Sequence, residues 1–130
     1  MIYGVMNEDF HADIKQFIAD TIDSVAQLEV LLLLRSEPSK VWTAQEAGKA
    51  LYSAADVTAL LMADLHAKRL LAASGEHGYV YRPERQDLAV SVDRLAEQYR
   101  ERRVAVITAI YTKPIDKIRS FADAFRLRKD

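Results

Sequence analysis

The side chains of this chain that can do chemistry are few and scattered. There is no cysteine, so disulfides, thiolate nucleophiles and thiolate metal sites are excluded. The three histidines, His11, His66 and His77, fall in three different predicted elements, and no two have the four-residue spacing of metal ligands on one helix. Asp20 with Asp23, and Glu97 with Glu101, are carboxylate pairs on helices, a pattern more typical of solvated faces than of acid/base dyads. The four glycines form no phosphate-cradling loop. No enzymatic centre, metal or cofactor is expected.

What remains is anion-contact chemistry. Lys49, Lys68, Arg69, Arg82 and Arg85 can reach phosphate oxygens, while Thr58 can meet a base edge and Ala55 and Ala59 a thymine methyl. Most of these residues fall in one stretch, Ser53 to Arg82, reading SAADVTALLMADLHAKRLLAASGEHGYVYR. Ser53 is placed to cap a helix running to about Lys68, with Asp56 in its first turn complementing the dipole. Val57, Leu60, Leu61 and Leu65 are expected as its core stripe. Ala55, Thr58, Ala59, Met62, His66 and Arg69 are then expected outside. Leu70-Leu71-Ala72 reads as a strand, Gly75-Glu76-His77-Gly78 as a turn, and Tyr79 to Arg82 as the return strand, with Pro83 closing the pair. His77 and Arg82 are placed by this hairpin. Packing within the sheet is the commoner use of Tyr79 and Tyr81, over stacking on bases.

The elements around that stretch follow from periodicity. Ile2, Tyr3, Val5 and Met6 make an apolar lead-in. Phe10, Ile14, Phe17, Ile18 and Ile22 recur every three or four residues, predicting a helix from Phe10 to Ile22 with one apolar stripe. Ser24 and Gln27 read as a capping box for a helix carrying Val25, Leu28, Leu31 and Leu32, which Pro38 ends. Val41-Trp42 is β-prone, and Thr43 with Glu46 is a second capping box. The helix it opens runs to about Leu51, with Gly48 small enough for a close crossing. Leu88 to Lys113 reads as one long helix, apolar nearly all round from Val104 to Tyr111. Lys113-Pro114 breaks it, and Ile115, Ile118, Phe121 and Phe125 stripe a last helix.

The order helix, short strand, helix, helix, two-stranded wing and long helix resembles the winged helix-turn-helix fold of small transcriptional regulators of the MarR-like superfamily. The resemblance covers about Val25 to Arg82. Its most specific part is Val57-Thr58-Ala59-Leu60-Leu61 through Leu65 to Lys68-Arg69-Leu70-Leu71, which is similar to the run ending many recognition helices in that superfamily. It implies a mainly α fold with a small β wing, and DNA contact through Lys49, Ser53, Ala55, Thr58, Ala59, Met62, Lys68, Arg69, His77, Arg82 and Arg85. The sequence departs from the pattern in two ways. The outward positions lack the Arg, Lys, Gln or Asn common in DNA-binding members, and Arg69 stands where a glycine usually turns into the wing.

Composition sets the remaining bounds. With 130 residues and 14.7 kDa, one domain with extensions is expected: an N-terminal arm and helix over 1–23, the helix-turn-helix with its wing over 24–85, and C-terminal dimerisation helices over 86–130. Half the residues are apolar and 28% charged, an ordinary globular balance. Residues 1–46 hold eight acids against three bases, and residues 83–130 eleven bases against eight acids. Any anionic partner is therefore expected at the wing and C-terminal half. No signal peptide or membrane-spanning run is read, so a cytoplasmic protein is expected. The apolar C-terminal half calls for a homodimer through Phe10, Ile14, Phe17, Leu95, Tyr99, Val106, Ile107, Ile110, Tyr111, Ile118, Phe121 and Phe125. Two functions stay open: a DNA-binding transcriptional regulator, and a protein-interaction module whose Ala55, Ala59 and Met62 face meets a protein partner instead of DNA.

Overall fold

The structure, a computed structural model, describes residues 12–112. Among the described residues the chain is mainly helical, with a small three-stranded antiparallel sheet. The order is α1 (Ala12–Thr21), α2 (Val25–Ser36), β1 (Trp42–Thr43), α3 (Ala44–Leu51), α4 (Ala55–Ala67), β2 (Leu71–Ser74), β3 (Gly78–Tyr81), α5 (Gln86–Glu101) and α6 (Arg103–Tyr111). The sheet runs β1-β3-β2, with Trp42 opposite Tyr79 and Leu71 opposite Tyr81. No helix among the described residues is long and apolar enough to cross a membrane.

Local chemistry sets most boundaries. At α3 both halves of the capping box form: Thr43 Oγ1 accepts from the Glu46 amide at 3.1 Å, and the Thr43 amide donates to Glu46 Oε1 at 3.0 Å. At α2, Ser24 Oγ accepts from the Gln27 amide at 3.0 Å, but Gln27 Oε1 reaches one residue further back, to the Asp23 amide at 2.8 Å. Ser53 is not the cap of α4. That position falls to Ala54, with no capping side chain, and the Ser53 amide donates to the Gly48 carbonyl at 2.8 Å.

Two helix ends use left-handed residues that are not glycine. Tyr52, after α3, has φ 57° and Arg69, after α4, has φ 70°. After α4 the Leu70 amide donates to the Leu65 carbonyl at 3.1 Å and the Arg69 amide to the His66 carbonyl at 2.9 Å. This is the Schellman pattern, and Leu65 and Leu70 are both fully buried beneath it. The turn therefore needs the conformation that glycine adopts most readily, and Arg69 adopts it at the cost of strain.

One apolar cluster runs through the described residues. It includes Ile14, Phe17, Ile18 and Ile22 of the N-terminal part, Leu28, Leu31 and Leu34 of α2, Trp42, Met62, Leu65 and Leu70, and Val92, Leu95, Tyr99, Val106 and Ile110 of the C-terminal helices. The three expected segments thus share a core.

The expected single helix from Leu88 to Lys113 is corrected: it breaks at Arg102, with φ −135° and ψ 59°. A straight helix would carry residues 104–111 past the rest of the chain. The bend lets α1 pack on both α5 and α6 and puts Val106 and Ile110 in the core. The expected helices before Ala12 and after Lys113 lie partly or wholly outside the described residues, as do Phe10, Ile118, Phe121 and Phe125.

Candidate functional site

The orientation of α4 decides which side chains can meet a partner, and it differs from the expected stripe. Thr58 and Met62 are fully buried, with 0% of their surface exposed, whereas Val57 is half exposed and Leu60 is 73% exposed. The expectation that Thr58 and Met62 face outward is therefore corrected, as is the placing of Val57 and Leu60 in the core. The cause is the α3–α4 crossing. A Cβ on Gly48 would stand 2.6 Å from the Ser53 carbonyl oxygen and 3.0 Å from Thr58 Oγ1. Only a small residue on α4 can sit opposite, and Thr58 fits by donating its hydroxyl to the Ala54 carbonyl at 2.8 Å. With Thr58 inward, helical spacing brings Met62 and Leu65 in with it. Because α4 is apolar on both sides, a wheel drawn from hydrophobicity has two solutions, and the presence of Gly48 on the preceding helix was the one sequence signal that separates them.

The outward face of α4 is thus Ala55, Asp56, Val57, Ala59, Leu60 and Ala63, all exposed. Beside it, between α4, the start of α3 and the β2–β3 turn, lies an open groove of about 510 Å3. Its walls include Gln45, Ala59, Ala73, Glu76, His77 and Tyr79, and among the described residues no lysine or arginine lines it. Tyr79 is backed by His66, ring centroids 5.3 Å apart. His77 stands 4.0 Å from Glu76, and both are almost fully exposed.

The expected phosphate contacts are spread around the molecule and mostly engaged. Lys68 Nζ donates to the Thr21 carbonyl at 2.6 Å and is 3.0 Å from Asp23 and 2.7 Å from Asp64. Asp64 also accepts from Gln27 Nε2 at 2.7 Å, and Gln27 is itself only 1% exposed. Lys68 is therefore a tie between the end of α1, the start of α2 and α4, because a carbonyl and two carboxylates converge on its ammonium. Arg69 pairs with Glu84, and Arg85 with Asp87 at 3.0 Å, a contact that holds the Asp87 carboxyl below its usual range and the Arg85 guanidinium above its own. Lys49 and Arg82 are exposed, and Ser53 is half-buried. The Gln27–Asp64 and Thr21–Lys68 connections were missed in the sequence because they join residues 37 and 47 positions apart.

The expected dimer residues are also placed. Ile14, Phe17, Leu95, Tyr99, Val106 and Ile110 are buried within the single chain, and Ile107 packs partly against the same core. These six buried residues are corrected from interface to core, since α1, α5 and α6 cover one another. Tyr111 is exposed, as are Val104 and Tyr52. Among the described residues no group of three or more His, Cys, Asp or Glu is placed to hold a metal ion. Comparison with family models, with curated proteins and with solved structures finds no match to this chain.

Proposed function

We propose that this chain is a winged-helix protein whose α4 and β2–β3 hairpin dock an apolar segment of another protein. The observation that carries this is the groove between α4 and the hairpin, which among the described residues has no lysine or arginine in its walls and holds Glu76. A duplex laid there would meet acids where it needs cations, since Asp56 is exposed one turn before Ala59 and phosphate contacts supply most of DNA affinity. An apolar segment would find Val57, Ala59 and Leu60 exposed on the helix and Ala73 across the groove. Basic residues at its margin would meet Asp56 and Glu76, so the fitting partner is an apolar peptide flanked by lysine or arginine.

The test is selection of such peptides from a displayed library, followed by titration against the Leu60→Glu variant. Leu60 is largely exposed, so this variant keeps its fold by circular dichroism and loses the selected peptides. Peptides that bind both forms equally would overturn the proposal.

A second reading is supported by the order α3, turn, α4, hairpin, which resembles MarR-like winged helix-turn-helix regulators: a homodimer that binds DNA with the two α4 helices about 34 Å apart. Exposed Lys49 and Arg82, together with Ser53, Ala55 and Ala59, would make its contacts. Fluorescence anisotropy with duplex DNA separates the readings. Binding that persists at physiological salt and falls steeply as salt rises, in a protein that selects no apolar peptide, supports this one and counts against protein docking.

A further inference from the structure

We propose that the groove between α2 and the α5–α6 junction binds a small phosphate monoester. The groove is open to solvent, has a volume of about 490 Å3, and is walled by Arg35, Asp93, Glu97, Tyr99, Arg100 and Arg103. That volume is in the range of small-molecule sites. The groove shares no lining residue with the one between α4 and the hairpin, so it stands apart from the docking face.

Its charges are arranged unequally. Arg35 Nε donates to Asp93 Oδ1 at 3.0 Å, so these two cancel and stiffen one wall. Arg103 is held in place with most of its donors unspent. Its Cζ stands 4.2 Å from the centroid of the Tyr99 ring, and Nη1 donates to the Tyr99 hydroxyl at 2.9 Å. That hydroxyl donates in turn to Glu29 Oε2 at 3.2 Å. Arg100 has a long contact of 3.6 Å to Glu101, and three quarters of its side chain is exposed. Arg100 and Arg103 share this lining with the carboxylate of Glu97.

Guanidinium forks match the oxygens of a phosphate, and two together match its dianion. Glu97 opposes a bare phosphate but can accept a hydrogen bond from a hydroxyl on the body of an ester. Leu32 and Ala96 give the same groove an apolar wall for the carbon skeleton. The ligand class is therefore a hydroxyl-bearing phosphate monoester, favoured over inorganic phosphate.

Isothermal titration with glycerol 3-phosphate tests this, with inorganic phosphate as second probe and chloride at equal ionic strength as control. The expected result is saturable binding of the ester, weaker binding of inorganic phosphate and none of chloride. Arg100→Gln should weaken the ester about tenfold or more, the loss of one charge-assisted hydrogen bond, and Arg103→Gln likewise. Glu97→Gln should weaken the ester and tighten inorganic phosphate, a crossover that mere structural damage would not produce. Leu60→Glu should change neither. Since Arg103 also packs on Tyr99, the exposed Arg100 gives the cleaner variant. No saturable binding, or equal binding by Arg100→Gln, would overturn the proposal.

Discussion

Replacing Met62 and Leu60 by alanine in separate variants tests the rotation of α4, because the expected stripe and the structure assign the two residues opposite faces. Met62 is fully buried, so its truncation removes packed atoms and leaves a cavity, which costs about 2–5 kcal/mol. Leu60 is 73% exposed, leaving roughly a quarter of a leucine's burial to lose, about 0.5 kcal/mol. The ratio between the variants is therefore large whatever the absolute scale. Urea unfolding followed by circular dichroism gives both values, and in a chain of this size each kcal/mol corresponds to roughly 3–6 °C in Tm. Met62→Ala should melt on the order of 10 °C or more below the parent, and Leu60→Ala within a few degrees of it. If Leu60→Ala proves the more damaging, α4 sits as hydrophobicity alone suggests, and the docking face described above is wrong.

Other outcomes follow from single contacts. Gly48→Ala should gain helix propensity yet lose about 1–3 kcal/mol net, since the new methyl would stand 2.6 Å from a backbone carbonyl. A stabilised variant in thermal melts would refute the close crossing. Tyr52→Gly should stabilise by about 0.5–1 kcal/mol, because the phenol is 98% exposed and only the left-handed backbone is relieved. Loss of stability there would show that the ring makes a contact absent from the structure. Burial first, and the charge of Asp93 second, push the Tyr81 hydroxyl up to about 12 from 10.0, with Arg35 opposing. The folded state thus favours the protonated phenol, so this contribution is whole below pH 10 and is lost as pH rises through about 12. Tyr81→Phe should flatten the alkaline loss measured by urea melts. At neutral pH it should cost little, as the hydroxyl has no hydrogen-bond partner among the described residues.

From Val25 to Tyr81 the elements and their order were legible in the sequence, because each is set by residues close together along the chain. The capping box of Thr43 and Glu46 needs only a span of three residues, and the hairpin only the turn between Leu71–Ser74 and Gly78–Tyr81. The demand for a glycine-like conformation at Arg69 was visible from the resemblance and reappears as its positive φ. The candidate site was legible only in location. Its outward chemistry depends on which side of α4 is buried, and an apolar helix can bury either.

The sequence by itself determined the helices from Val25 to Ala67, the short sheet and the absence of thiol chemistry, all of which follow from local spacing and composition. Only the tertiary structure decided that Thr58 and Met62 face inward, that Lys68 ties Thr21, Asp23 and Asp64 together, and that the break at Arg102 turns Val106 and Ile110 into core. Each of these is settled by contacts between residues distant in the chain: Gly48 admitting Thr58, Thr21 and Asp23 reaching Lys68, α1 covering α6. Periodicity records that a face is apolar, whereas steric fit and charge pairing between elements choose what covers it.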